Sequence, residues 1–159
     1  MEVSLSLSLP RDATSVPVAR RVAAQSLRSV GFVDDDVWDA EIAIAEACSN
    51  VLCHCVENDP YEVRIQLTDA MLVMEVVDAG HGFDGVDLGH EDSPGHAESG
   101  RGIQLMRAMV DDVRFAYLPG RGNVVSMSKI LRYRDDSVLA RMLDARPDSA
   151  LGDGQVATR

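Results

Sequence analysis

Basic residues are scarce in this sequence. The chain of 159 residues has 15 Lys and Arg against 26 Asp and Glu, and its formal net charge is −11. Lys129 is the only lysine. A surface of this sign repels the phosphates of nucleic acids, so we expect no direct nucleic-acid contact, whereas a cationic protein partner is compatible with the charge.

Long uncharged apolar runs are also missing. No run reaches the roughly 18 residues that a membrane span needs. The N-terminal stretch MEVSLSLSLPR lacks the basic start of a signal peptide. We therefore expect a cytoplasmic protein that does not contact a membrane.

The sequence also lacks the cysteine pattern of a disulfide-bonded protein. Cys48, Cys53 and Cys55 are odd in number and crowd one predicted helix, which favours reduced, buried thiols over disulfides. Zinc sites usually combine cysteine pairs from two segments, and this sequence has no second segment. A metal site at Cys53-His54-Cys55 is therefore disfavoured.

Strand and helix patterns account for most of the chain, in the order strand-helix-helix-strand-strand-loop-helix-strand-strand. Their order predicts an α/β two-layer sandwich, in which helices cover one face of a mixed, mostly antiparallel sheet. The predicted elements are a strand at 3–9, a helix from Thr14 or Ser15 to Val30, a helix from the acidic cluster at 34–36 to about Val56, a hairpin of strands at 61–68 and 71–78, a helix near Gly102 to Asp112, and the final strands VRFAYL and VVSMSKIL.

The second predicted helix carries a polar row at a spacing of four residues. Glu46, Asn50 and His54 form this row, opposite an apolar stripe that should face the sheet: Ile44, Cys48, Val51 and Cys55. A row of this kind is most often just the solvated side of an amphipathic helix.

Two observations favour a binding site at the polar row instead. Residues 29–62 include neither Lys nor Arg, so the acidic side has no counter-charge. Ala43 and Ala47 flank Glu46 and Asn50, and their small side chains would leave room for another molecule. A carboxylate beside a carboxamide is the kind of oxygen pair that a hard divalent cation accepts, especially when phosphates complete its ligands.

A glycine-rich segment follows the predicted strand at 71–78. It reads Asp78-Ala-Gly80-His-Gly82-Phe-Asp84, which holds Asp78 at the end of a buried strand while the glycines allow backbone to approach a ligand. A plain turn would have the same pattern.

A second segment, Ser99-Gly100-Arg101-Gly102-Ile103, precedes a predicted helix. Free backbone N–H groups at a helix start suit a phosphate, and Arg101 would add a cation. Glycine is also common at helix boundaries that bind no ligand. Neither segment fits a P-loop or a dinucleotide-binding fingerprint.

Together the three segments resemble a known family. Glu46-Ala-Cys-Ser-Asn50 with His54, Asp78 to Asp84, and Gly100-Arg-Gly102-Ile resemble the N box and the two glycine boxes of the GHKL ATPases. The sequence looks most like the bacterial anti-sigma-factor serine/threonine kinases. The resemblance spans residues 3–131 and implies a Bergerat-type fold that binds ATP under a mobile lid at about 85–99.

The resemblance also implies roles for individual residues. Asn50 would ligate Mg²⁺, Glu46 would act as general base, and Asp78 would accept a hydrogen bond from the adenine amino group. His54 is expected to be structural. The remaining implied nucleotide contacts are Gly80 and Gly82 at the adenine, Gly100, Arg101, Gly102 and Ile103 at the lid hinge and helix N-terminus, and Asn123, where many members have Thr.

The implied partners are a sigma factor, a STAS-domain anti-anti-sigma protein and a second copy of the chain. Two alternatives remain open: a non-catalytic nucleotide-dependent module that binds the sigma factor, and a simple ATPase that acts on water. The expected organisation is a kinase domain at 1–131 and a tail at 132–159, which has a short helix around Ser137 to Leu143 and then disorder.

Overall fold

The structure is a computed structural model that describes residues 2–54, 59–78, 97–119, 122–137 and 141; at 54 and 97–100 it describes the backbone alone. Within these ranges, eight elements follow one another in the order expected from the sequence. They are β1 (Glu2–Leu9), α1 (Ser15–Val30), α2 (Asp34–His54), β2 (Tyr61–Thr68), β3 (Met71–Asp78), α3 (Ala97–Met109), β4 (Asp112–Leu118) and β5 (Gly122–Ile130).

The five strands form one sheet in the order β1-β2-β3-β5-β4. All four pairs of described strands are antiparallel, so the sheet is not mixed in this part of the chain. Asp69 has a φ of 51° in the two-residue turn between β2 and β3, which closes the predicted hairpin. The predicted α/β sandwich is confirmed.

One hydrophobic core lies between the helices and one face of the sheet. Period-two alternation places Val63, Ile65 and Leu67 of β2 inward, and Glu62 and Arg64 outward. The apolar stripe of α2 faces the core as predicted, because Ile44, Cys48 and Val51 are all buried. Its fourth predicted member, Cys55, lies outside the described residues.

Gly31 ends α1, as the sequence indicates. Its φ of 101° is left-handed, and its N–H donates to the carbonyls of Leu27 and Arg28. The position is also crowded, because a Cβ on Gly31 would lie 2.5 Å from Ser137 Oγ. A residue with a side chain would therefore be strained there and would clash with the chain that follows β5.

That following chain, residues 132–137, packs on the corner between α1 and α2, and we call it the C-terminal strap. Tyr133 pairs with Phe32 in an isolated bridge, and their rings stack at a centroid distance of 4.5 Å. The Arg132 backbone N–H donates to Asp36 Oδ2 at 2.6 Å, and its guanidinium donates to Asp36 Oδ1 at 2.7 Å. The start of the predicted tail is thus tied to the domain through Arg132 and Tyr133, and Ser137 is buried beside Gly31, whereas residues 134–136 are exposed. The helix expected around Ser137 to Leu143 lies almost wholly outside the described residues.

Candidate functional site

Two members of the polar row meet the second glycine segment across the interface between α2 and α3. Glu46 and Asn50 are half-buried on α2. A Cβ placed on Gly102 would lie 2.9 Å from Glu46 Oε2 and 3.4 Å from Asn50 Oδ1. The missing side chain therefore lets the backbone of α3 lie directly against a carboxylate and a carboxamide. The side chain of His54 is not among those described, so its structural role stays a prediction.

The prediction that α3 begins near Gly102 is wrong. The helix begins at Ala97, five residues earlier, and Gly102 lies within it. Alanine and glutamate at 97 and 98 favour helix, and a helix fixed by packing tolerates single glycines at a cost of about 1 kcal/mol each. Gly102 is the sixth residue of α3, so its N–H is not one of the four free N–H groups at the helix N-terminus.

The other members of this segment belong to the same helix. Gly100 is in the helical backbone, Arg101 is exposed, and Ile103 packs against the hydrophobic core. Their predicted contacts with ATP therefore stay predictions. Of the predicted lid, residues 97–99 belong to α3, and residues 85–96 lie outside the described part of the chain.

The expectation that Ala43 and Ala47 leave room beside the polar row is also wrong. Both residues have 0% exposure and belong to the hydrophobic core. A step of three residues along the helix turns each alanine towards the protein interior, where a small side chain allows close packing of the helix. The neighbour that approaches Glu46 and Asn50 is α3.

A second polar pair lies where β3 ends. Asp78 and Asn123 are directly opposite each other in the β3–β5 register, and their exposures are only 6% and 7%. Asn123 Nδ2 donates a hydrogen bond to Asp78 Oδ1 at 3.2 Å. Asn123 Oδ1 is buried without a hydrogen-bond partner in the described structure, so it suits a ligand that brings a donor. Gly80 and Gly82 lie outside the described residues.

The two pairs belong to one packed unit. Helix α2, which carries Glu46 and Asn50, contacts both β3 and β5, the strands that carry Asp78 and Asn123. In the described ranges, no three His, Cys, Asp or Glu side chains are grouped in a way that could hold a metal ion. Asn50 offers a carboxamide oxygen, and Mg²⁺ is commonly held by one or two protein oxygens together with phosphates and water.

The two described cysteines differ in their surroundings: Cys48 is packed in the core and Cys53 exposes its thiol. Burial raises the pKa of the Cys48 thiol to about 12, even though the Tyr61 side chain contributes a smaller lowering effect. Cys48 is therefore protonated and inert at neutral pH. Cys53 is exposed. No helix in the described part of the chain has the length and apolar character that a membrane crossing requires.

The chain is similar in sequence to known proteins. Serine-protein kinases RsbW from Bacillus thuringiensis (strain Al Hakam) and Bacillus cereus (strain 03BB102) are each 29% identical to this chain over 138 residues, which cover 80% of this chain and 85% of the Bacillus protein.

A crystal structure of the RsbU and RsbW domains of a Mycobacterium tuberculosis protein has the same fold. Its TM-score is 0.63 at 19% identity, and the match covers 83% of this chain and 34% of that longer chain. The family described as the histidine kinase-like ATPase domain matches residues 9–129. The resemblance drawn from the three motifs is confirmed, and the chain belongs to the histidine kinase-like ATPase domain family.

Proposed function

We propose that this protein is an ATP-dependent serine/threonine kinase that phosphorylates a STAS-domain anti-anti-sigma protein and also sequesters a sigma factor. The observation that carries this proposal is the placement of Glu46 Oε2 and Asn50 Oδ1 against Gly102. A base and a neutral oxygen ligand side by side suit phosphoryl transfer, which depends on positioning and charge neutralisation more than on covalent chemistry.

Glu46 is the proposed general base. Its carboxylate has no basic partner among the described residues, so it is available to accept the proton of an attacking hydroxyl. Asn50 directs its carboxamide oxygen to the same place and is the proposed ligand of Mg²⁺. When bound, Mg²⁺ supplies neutralisation of the charge on the phosphates. The half-buried setting strengthens both electrostatic contacts relative to water.

Asp78 is the proposed acceptor for the base of ATP. It lies at the end of β3 and is held by Asn123 from the neighbouring strand. Burial of both side chains excludes water from this end of the site, so a ligand with the wrong hydrogen-bonding groups would leave buried polar atoms unpaired.

The proposed partners and setting follow from the family resemblance. The names of the Bacillus relatives support a serine kinase. We propose that the protein acts in the cytoplasm as a homodimer, and that its acidic surface favours partners with cationic contact regions.

The test uses Glu46→Gln and Asn50→Ala, with Glu2→Gln as a matched control on the exposed edge of β1. Each variant is incubated with labelled ATP, Mg²⁺ and a STAS-domain protein, and nucleotide binding is measured separately. Glu46→Gln should bind ATP but transfer at least about 100-fold less label, the lower end of what a general base contributes. Asn50→Ala should lose Mg-dependent binding, and Glu2→Gln should behave as wild type.

Three outcomes would contradict the kinase proposal. Unchanged transfer by both site variants would exclude the proposed chemistry. Binding of ATP by the wild-type protein without label on any partner would indicate the non-catalytic module. Release of phosphate without a protein acceptor would indicate a simple ATPase.

A further inference from the structure

One hydrogen-bonding atom of the Asp78–Asn123 pair, at the end of β3, has no partner in the described structure. Asn123 donates its Nδ2 to Asp78 Oδ1, yet its own Oδ1 is buried and has no partner among the described groups. An unpaired buried acceptor destabilises the folded state, and native proteins rarely retain one without a reason.

The orientation of the Asn123 amide is determined by its neighbour. An ionised carboxylate accepts hydrogen bonds and donates none, so the NH₂ group of Asn123 must face Asp78. The carbonyl oxygen then has to point away from Asp78. The buried end of the site consequently presents acceptors from both residues, with the Asn123 donor engaged by Asp78.

We infer that Asn123 determines specificity for the base: its Oδ1 accepts a hydrogen bond from the 6-amino group of adenine, while its Nδ2 fixes Asp78 for the other N–H of that group. This inference rests on the proposed binding of ATP. Adenine carries two N–H donors at this position, whereas a 6-oxo purine carries an acceptor. A 6-oxo purine would therefore place its own acceptor against acceptors of both residues, and Asn123 Oδ1 would stay without a donor.

Threonine and valine at position 123 provide a matched pair of variants. Both are β-branched, suit a strand and have nearly the same shape, but only threonine has a hydroxyl. Threonine can still donate to Asp78 and keeps one weaker acceptor. Valine can do neither, so it removes both parts of the inferred role.

The measurement is the dissociation constant of each protein for ATP and for inosine triphosphate, which differ at the 6 position of the base. We expect the wild-type protein to prefer ATP by at least about 100-fold, and Asn123→Val to lose about 10-fold to 100-fold in ATP affinity. Its affinity for inosine triphosphate should change by less than about threefold on the same scale. Asn123→Thr should lie between the two.

Equal losses for both nucleotides, or an unchanged ratio in Asn123→Val, would overturn the inference. Thermal unfolding without nucleotide checks that each variant folds; if Asn123→Val does not, an Asn123→Thr ratio equal to that of wild type overturns the inference. A wild-type protein that binds ATP selectively but phosphorylates no partner would contradict the kinase proposal alone. A wild-type protein that binds neither nucleotide would overturn both.

Discussion

Replacing Gly102 with alanine should reduce the proposed kinase activity strongly but change the free energy of unfolding only slightly. The added Cβ would lie 2.9 Å from Glu46 Oε2 and 3.4 Å from Asn50 Oδ1. The second distance is an ordinary contact after a small adjustment, but the first is too short. Relief requires the Glu46 carboxylate to move by about 0.5 Å, and that movement is available because the carboxylate is the far end of a flexible side chain.

The change in unfolding free energy should be small, since two effects of opposite sign nearly cancel. Alanine in the interior of α3 stabilises the helix by about 1 kcal/mol relative to glycine. Moving Glu46 from its preferred rotamer costs about 0.5–1.5 kcal/mol. We therefore expect Gly102→Ala to unfold within about 1 kcal/mol of wild type, a balance drawn from those two terms.

Activity should respond much more strongly. A general base displaced by a fraction of an ångström loses its alignment with the attacking hydroxyl, and a misplacement of about 1 Å can reduce a rate by about 100-fold. We expect transfer of label from ATP to a STAS-domain protein to fall by about 10-fold to 100-fold. Chemical denaturation and a single-turnover transfer assay measure the two quantities.

The control is the pair Gln104→Ala and Gln104→Gly, on the exposed side of the same helix. It measures the difference in unfolding free energy between alanine and glycine in α3 without affecting Glu46. Wild-type activity in Gly102→Ala would refute the argument that Gly102 positions the base. Destabilisation by more than about 3 kcal/mol would show that the methyl group disrupts helix packing more than a rotamer shift.

Two further predictions concern stability and thiol reactivity. Burial alone would raise the pKa of Asp36, but hydrogen bonds and charge from Arg132 outweigh burial and lower the pKa below its usual 3.8. The ionised Asp36 carboxylate therefore stabilises the folded protein fully above about pH 4, and this stabilisation is lost as the pH falls through the lowered pKa. Asp36→Asn should cost about 1–3 kcal/mol at pH 7 in urea denaturation, and a difference that does not shrink in acid would contradict this. Alkylation at pH 8, located by mass spectrometry, should modify Cys53 quickly and Cys48 only on unfolding; rapid modification of both would be the contrary result.

Periodicity and turn residues predicted most of the fold, because those signals are local. Alternation in β2, the two-residue turn at Asp69 and the left-handed Gly31 all have the structure that their sequence indicates. The start of α3 was not predictable in the same way. Two glycines near Arg101 suggest a helix end, but packing against α2 holds a helix that begins at Ala97.

The candidate site was predictable as residue types but not as geometry. Motif spacing indicated Glu46 and Asn50, yet only tertiary structure places Gly102 against both. The sequence does not reveal that the alanines at 43 and 47 face the core, because a small residue suits a close helix contact and an open surface equally well. No sequence signal could have shown that one oxygen of Asn123 is unpaired among the described residues.

In both halves of the candidate site, a contact between two elements of secondary structure fixes the position of the polar side chains. At one end the contact is α2 against α3, and its closeness depends on the glycine at 102. At the other end the contact is the β3–β5 register, which sets Asn123 opposite Asp78. Helix α2 packs on both strands, so a ligand that touched Glu46 and Asp78 together would bind surfaces already fixed relative to each other. Such preorganisation lowers the ordering cost of binding, so the groups proposed to react would need little rearrangement when a ligand binds.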